Sequence, residues 1–185
     1  MKLVVGLGNP GRRYERSRHN LGYTVLAEAA RRLGVGAAKA RFHGELAEGT
    51  CAGHKVLLLS PLTYMNRSGT SVRAARDFYG LPDQDLLVIC DDLNLPLAKL
   101  RFRATGSSGG QKGLEDIIEK LQSEEFCRLR IGLGPPPDGW DAADFVLARF
   151  TGEELPEIEA AVLRAADAVI DWVREGVQYC MNRYN

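Results

Sequence analysis

The hydrophobic and polar positions of the chain form two kinds of pattern that alternate along its length. Short apolar runs bounded by turn residues predict a hairpin and four single strands, at Phe42–Leu59, Lys2–Leu7, Leu86–Cys90, Lys99–Arg103 and Leu129–Leu133. Apolar positions at helical spacing predict helices at Leu21–Leu33, Ser68–Tyr79, Leu114–Leu121 and Glu153–Glu175. Strands that alternate with helices indicate an α/β fold with helices on both faces of the sheet.

The hairpin and one single strand favour a twisted mixed β-sheet over a purely parallel one. The Phe42–Leu59 hairpin turns at Ala52-Gly53-His54, so its strands run antiparallel. Lys99–Arg103 alternates basic with apolar residues, which is typical of a strand with one solvated face. The length of 185 residues, without any linker-like stretch, predicts a single domain over residues 1–185.

Cysteine spacing and hydropathy bear on the cellular compartment. The four cysteines are far apart and lack the paired spacing of a disulfide framework or a zinc site. The first residues lack the apolar stretch of a signal peptide, and no apolar run reaches the roughly 20 residues of a membrane span. We therefore expect a cytoplasmic protein with reduced thiols, no metal and no membrane contact.

Charge is balanced overall but unevenly distributed. The 24 Lys and Arg residues equal the 24 Asp and Glu residues in number. No acidic residue occurs over Gly49–Arg76 or Leu93–Leu114, whereas acidic residues gather within Glu153–Glu175. A neutral protein with a basic side suits a polyanionic ligand.

Three polar clusters follow predicted strands. Asn9 follows the first strand, Asn66 follows the hairpin, and Asp91 follows Leu86–Cys90. Ligands of open α/β sheets bind outside the carboxyl ends of the parallel strands. If these strands are parallel neighbours, the three side chains converge on one cleft.

Two glycine-rich motifs resemble known signatures without completing them. Gly6–Gly11 matches G-x-G-x-x-G, but no helix opens at its last glycine and no acidic residue closes a second strand at the required distance. Gly106–Gly110 matches G-x-S-x-G, yet no histidine follows His54 to complete a triad. The sequence thus argues against dinucleotide binding and against a serine nucleophile.

The turn at Gly106–Gly110 is a better candidate for an anion site. A glycine-rich turn that opens a helix presents backbone N–H groups to an anion. Arg101 and Arg103 share a face of the preceding strand, and Arg128 and Arg130 share a face of the later one. These neighbours favour phosphate binding over the alternative of a plain loop.

His19 is the best-placed general base among the three histidines. It lies between the first-strand loop and a helix, beside the expected cleft, whereas His43, in a strand, and His54, in the hairpin turn, are expected to be solvated. A carboxylate on its other nitrogen fixes the tautomer and stabilises the imidazolium, and Asp91 is the best-placed partner. The alternative for Asp91 is a helix cap or turn.

Water is the expected nucleophile. The chain offers no credible Ser or Cys nucleophile, so a histidine base would act on water. The amides of Asn9 and Asn66 both donate and accept hydrogen bonds, which suits a polarised carbonyl group.

Together these residues match a known family. The chain resembles bacterial-type peptidyl-tRNA hydrolases over nearly its whole length. The matching segments are Val5–Gly11, Tyr14, Arg18–Gly22, Pro61–Gly69, Asp91–Pro96 and Arg128–Gly134.

The resemblance implies a monomeric α/β enzyme, without metal or cofactor, that cleaves peptidyl-tRNA into peptide and tRNA and recycles tRNA from stalled translation. His19 is then the proton acceptor, Asp91 holds it in its basic form, and Asn9 distinguishes blocked from free aminoacyl ends. The positions implied to contact the tRNA end or the peptide are Tyr14, Tyr64, Met65, Asn66, Gln111 and Lys112. Arg103 and Arg130 resemble a clamp on the tRNA 5′ phosphate, with Arg103 in place of the usual Lys.

One departure from the family bears on mechanism. Gln111-Lys112 replaces the usual His-Asn, whose Asn helps to hold substrate and water. Gln111 carries the same amide on a longer stem, and Lys112 offers a charge for the tetrahedral intermediate or a phosphate. Two other functions stay open: an RNA-binding relative without turnover, and a peptidase or amidase on the same fold.

Overall fold

All seven strands of the protein join one sheet in a computed structural model that describes residues 1–185. The strands are β1 (Lys2–Gly6), β2 (Lys39–Arg41), β3 (Gly44–Cys51), β4 (His54–Pro61), β5 (Leu86–Asp92), β6 (Leu100–Arg103) and β7 (Cys127–Gly132). The helices are α1 (Leu21–Leu33), α2 (Ser68–Tyr79), α3 (Lys112–Leu121), α4 (Ala142–Leu147), α5 (Leu155–Glu175) and α6 (Val177–Tyr184).

The sheet is mixed, as the sequence predicts. Its strand order is β2-β3-β4-β1-β5-β7-β6. The four central strands β4, β1, β5 and β7 run parallel, whereas β2, β3 and β6 pair antiparallel with their neighbours. The carboxyl ends of the parallel strands therefore meet at one edge of the sheet, which we call the carboxyl edge.

Helices cover both faces of the sheet, which confirms the predicted architecture. One core cluster contains buried residues of α1, α5 and α6, and the other contains buried residues of α2 and α3. The central strands are apolar on both faces because both faces are covered; every residue of β5 is buried. No helix combines the length and the apolar composition needed to cross a membrane.

Three elements lie outside the predicted pattern. β2 is wholly exposed, so it carries no apolar run that reveals it. α4 is a six-residue helix, and α6 follows α5 after a break at Gly176. The prediction that His43 lies in a strand is wrong: it occupies the turn between β2 and β3 with φ 55°. His43 and His54 are both exposed, as expected.

Candidate active site

The carboxyl edge brings the predicted polar residues together. β1 pairs in parallel with both β4 and β5, so the segments that follow these strands are neighbours. Asn9 follows β1, Asn66 follows β4, and Asp91 lies near the end of β5. The convergence expected from the sequence is therefore present in the fold.

His19 and Asp91 form a hydrogen-bonded pair. His19 Nδ1 lies 2.7 Å from Asp91 Oδ2. The side chain of His19 is 13% exposed and that of Asp91 is 3% exposed. With Nδ1 bound to a buried carboxylate, the tautomer that leaves Nε2 unprotonated is favoured, and this nitrogen is the one available to take a proton.

Close packing of α1 fixes the position of His19. His19 lies in a short 3-10 turn, Arg18–Asn20, that runs directly into α1. A Cβ atom at Gly22 would lie 2.3 Å from the Leu7 backbone nitrogen and 2.5 Å from the Ile89 carbonyl oxygen. Only glycine therefore lets the first turn of α1 rest against β1 and β5, which carries His19 to Asp91.

Gln111 binds the second oxygen of Asp91. Its Nε2 group donates to Asp91 Oδ1 over 3.1 Å and lies 3.2 Å from the Met65 sulfur. Its Oε1 atom accepts the Leu114 backbone N–H over 2.8 Å and so caps α3. One side chain thus joins the start of α3 to the carboxylate that holds His19.

Asn9 leaves an amide donor unused. Its Oδ1 atom accepts the Met65 backbone N–H over 2.7 Å. Its own backbone forms a reciprocal pair with the Asn20 side chain, at 2.8 and 3.0 Å. Although Asn9 is only 8% exposed, its Nδ2 group has no partner in the protein and keeps contact with solvent. This group is a fixed donor beside the cleft, suited to a carbonyl oxygen.

The aromatic residues of the site lie beyond Asn9. Tyr64 is 53% exposed and adopts φ 59°, in the left-handed region that is uncommon for a non-glycine residue. The ring of Tyr14 meets that of Tyr64 edge-on, with centroids 6.3 Å apart. Asn66 is exposed, with no hydrogen-bond partner for its side chain in the protein. Stacking surfaces and a free amide therefore flank the cleft on this side.

A basic cavity lies on the other side of the histidine–aspartate pair. Arg101 pairs with Arg130 across β6 and β7, and both line, with Arg103, an open cavity of about 300 Å³. Arg103 is exposed, whereas Arg130 donates to Asp92 Oδ2 at 3.1 Å and to the Ser107 carbonyl at 2.7 Å. The cavity presents guanidinium groups suited to a phosphate.

Arg128, which also lines the cavity, holds the glycine-rich loop through its hydrogen bonds. It is fully buried and donates to the carbonyl oxygens of Gly106, Ser107, Glu124 and Phe126. Burial, and secondarily the charge of Arg130, lowers the pKa of its guanidinium. The backbone N–H groups at Gln111 and Leu114 already have partners. The guanidinium groups of Arg101, Arg103 and Arg130 line the cavity and are available to an anion, and anion binding by the remaining N–H groups of the Gly106–Gly110 turn stays a prediction.

The comparisons with known proteins cover the whole chain. Residues 3–185 match the family model described as peptidyl-tRNA hydrolase. The chain belongs to the peptidyl-tRNA hydrolase family. Membership assigns to it the activity of that family, release of tRNA from peptidyl-tRNA (EC 3.1.1.29).

Individual relatives of the family agree over their full lengths. The chain is 52% identical to the peptidyl-tRNA hydrolase of Rhodopirellula baltica over 185 residues, which cover 100% of this chain and 97% of the relative. It is 48% identical to that of Geobacillus kaustophilus, with 100% of each chain covered. The crystal structure of the Acinetobacter baumannii peptidyl-tRNA hydrolase superposes with a TM-score of 0.94 at 35% identity, covering 100% of this chain and 94% of that one.

Within this hydrolase, the departure at Gln111-Lys112 has a defined geometry. Gln111 points to Asp91, whereas Lys112 Nζ lies 2.9 Å from Glu115 Oε2 on the exposed side of α3. Lys112 is 68% exposed, so any role toward substrate requires it to leave Glu115. The amide at position 111 is therefore the one that this structure brings to the His19–Asp91 pair.

Neither the Cys90 thiol nor the Ser108 hydroxyl is placed to serve as a nucleophile in this hydrolase. Burial, and secondarily the Asp91 carboxylate, raises the pKa of the Cys90 thiol well above its usual range, so the thiolate is disfavoured. Ser108 Oγ accepts the Gly110 backbone N–H and has no histidine partner. The structure contains no cluster of three or more His, Cys, Asp or Glu side chains arranged to hold a metal ion.

Two residues for which the sequence predicted no role, both in the matching segment Arg18–Gly22, make contacts beside the site. Asn20 clamps the backbone of Asn9, and Arg18, 4% exposed, donates to the Arg149 carbonyl and to Glu154. Both adjoin His19 and lie in a segment that matches the family, which are the two signals that mark them in the sequence.

Proposed function

We propose that His19 acts as the general base that activates water for attack on the ester between peptide and tRNA. Nε2 of His19 takes a proton from water as the water oxygen bonds to the ester carbonyl carbon. Collapse of the tetrahedral intermediate breaks the bond to the terminal ribose oxygen, which receives that proton as tRNA leaves. The observation that carries the proposal is the 2.7 Å contact between His19 Nδ1 and the buried Asp91 carboxylate.

Asp91 stabilises the imidazolium that forms during this proton transfer. Its second oxygen is bound by Gln111, so the carboxylate is oriented from both sides. Gln111 thereby acts on the base through Asp91. The free Nδ2 group of Asn9 donates to the ester carbonyl oxygen, where negative charge develops.

The tRNA lies toward the basic cavity. Arg103 and Arg130 bind the 5′ phosphate, which suits their guanidinium groups. Four residues on the other side of the cleft contact the tRNA end or the peptide, namely Tyr14, Tyr64, Met65 and Asn66. Lys112 supplies a further positive charge after exchanging Glu115 for a phosphate. The enzyme works as a monomer in the cytoplasm, where it recycles tRNA from stalled translation.

Hydrolysis of an N-blocked aminoacyl-tRNA in ¹⁸O-labelled water tests this mechanism. Attack by water places one labelled oxygen in the carboxylate of the released blocked amino acid and none in the tRNA. Release by wild type and its loss in His19→Ala, with tRNA still bound, supports the proposal. Tight binding of the substrate by wild type without release would indicate an RNA-binding protein instead.

A further inference from the structure

Three arginines crowd one exposed loop next to the active site. Arg12, Arg13 and Arg16 all lie on the surface within Gly11–Arg16, and Glu15 is the one carboxylate among them. The next arginine, Arg18, pairs with Glu154, but none of the three loop arginines has a carboxylate within 4.0 Å. Unpaired like charges repel one another, so this loop attracts an anion.

The loop is held in place at both ends. Its start is fixed by the reciprocal hydrogen bonds between Asn9 and Asn20. Its end is fixed by the bridge between Ser17 and Arg149, and by the Arg18 backbone N–H, which donates to the Ala148 carbonyl over 2.9 Å. A loop fixed in this way presents its charges without a large entropic cost on binding.

A chain of aromatic contacts joins the loop to the cleft. The Arg13 guanidinium stacks over the Tyr14 ring with 4.6 Å to the centroid, and Tyr14 meets Tyr64 edge-on. The edge of a guanidinium stacked on a ring remains free to pair with a carboxylate. The arginines thus continue the surface that begins at Asn9 and Tyr64.

The strand order separates this loop from the basic cavity. Along the carboxyl edge, Tyr64 follows β4, the arginine loop follows β1, Asp91 lies near the end of β5, and Arg130 and Arg103 lie on β7 and β6. The catalytic pair therefore lies between the two basic regions. If the tRNA 5′ phosphate occupies the cavity, as under the proposed function, the single-stranded tRNA end spans the distance from cavity to pair. The peptide then continues past the pair toward β1 and β4.

We propose that Arg12, Arg13 and Arg16 form a subsite for acidic side chains of the peptide part of the substrate. A carboxylate from the peptide accepts charge-assisted hydrogen bonds from one or more of these guanidinium groups. The inference rests on the proposed placement of tRNA. It gives the enzyme a preference for peptides with Asp or Glu near the ester.

A matched pair of substrates tests the preference. N-acetyl-Glu-Ala-tRNA and N-acetyl-Gln-Ala-tRNA differ by one charge and share the same tRNA and ester. At low salt, the wild-type kcat/KM for the Glu substrate should exceed that for the Gln substrate by roughly two- to fivefold, the range expected of exposed ion pairs. At high salt the ratio should fall toward one because salt screens the charges. The triple variant Arg12→Gln, Arg13→Gln, Arg16→Gln should lose the ratio. Arg164→Gln removes an exposed, unpaired arginine of α5 and should keep it.

Binding measured without turnover separates this proposal from the catalytic one. The ratio of Kd values for hydrolysis-resistant, amide-linked analogues of the two substrates should match the kcat/KM preference on wild type and on His19→Ala, whatever the role of His19. A ratio of one on wild type and His19→Ala at low salt would overturn the subsite. An equal loss of affinity for both substrates and for deacylated tRNA in the triple variant would assign the loop to tRNA phosphates instead.

Discussion

The Gln111 amide donates to Oδ1 of Asp91 over 3.1 Å, on the carboxylate whose other oxygen holds His19. Its own oxygen caps α3. Gln111, which stands with Lys112 where the resemblance implies His-Asn, therefore links the start of α3 to the carboxylate that holds His19.

Replacement of Gln111 separates its two contacts. Gln111→Ala should lower kcat by roughly tenfold, because a hydrogen bond to a charged group is lost. It should also destabilise the protein by about 1 kcal/mol through loss of the α3 cap. Gln111→Ser keeps a cap acceptor but its short side chain cannot reach Asp91, so it should lose kcat and retain most of the stability. Steady-state kinetics and thermal unfolding of both variants measure the two effects. A wild-type kcat in both variants would show that the contact between Gln111 and Asp91 does not contribute to catalysis.

Asp91→Asn should be catalytically slow although it preserves the shape of the side chain. The neutral amide cannot stabilise an imidazolium, so kcat should fall by a factor on the order of 10²–10⁴. The affinity for uncharged tRNA should stay near that of wild type, because Asp91 is buried away from the basic cavity. Parallel measurement of kcat and tRNA Kd tests this, and an unchanged kcat would remove Asp91 from the mechanism.

Arg103→Ala should raise KM and leave kcat nearly unchanged, because a phosphate contact holds substrate and transition state alike. The slope of log affinity against log salt should fall by about 0.7–0.9 for the lost contact. Arg130→Ala should also raise KM and reduce the salt slope. It should in addition loosen the glycine-rich loop, since Arg130 binds Asp92 and the Ser107 carbonyl. Arg174→Ala, on the surface of α5, is the control. A wild-type KM in both cavity variants at two salt concentrations would place the tRNA elsewhere.

Arg128→Leu should unfold more easily than wild type. The change leaves the carbonyl oxygens of Gly106, Ser107, Glu124 and Phe126 without their buried partner. Loss of such a buried network costs about 3–5 kcal/mol of unfolding free energy. Urea denaturation measures it, with Arg164→Leu as an exposed control expected to stay within about 0.5 kcal/mol. Equal midpoints for Arg128→Leu and wild type would contradict the role given to Arg128.

The hydrophobic pattern predicted most helices and strands because both faces of the sheet are covered, so that buried strands read as apolar runs in the sequence. α1 and α2 begin and end where the apolar spacing and the glycines Gly34 and Gly80 predict. The strand β2 could not be predicted because its three residues are all exposed and form no apolar run. Its place in the sheet depends on pairing with β3 alone.

The roles of individual arginines could not be predicted in the same way. Arg128 and Arg130 are two residues apart on one strand, and alternation gives them the same face. Only the path of the glycine-rich loop over that face leaves Arg128 fully buried against four carbonyl oxygens while Arg130 stays partly exposed. That path depends on contacts between segments distant in the sequence, which no local pattern records.

Single-turnover cleavage of N-blocked aminoacyl-tRNA by His19→Ala tests the central claim most directly. With enzyme in excess, the cleavage rate of the bound substrate should fall by a factor on the order of 10²–10⁴, the usual share of general-base catalysis, while Kd stays within about twofold of wild type. The wild-type rate should fall at acidic pH, where imidazoles gain a proton, and the residual rate of the variant should not follow that limb. A His19→Ala rate near that of wild type, or a wild-type rate that is constant between about pH 5 and 8, would contradict the assignment of His19 as the base.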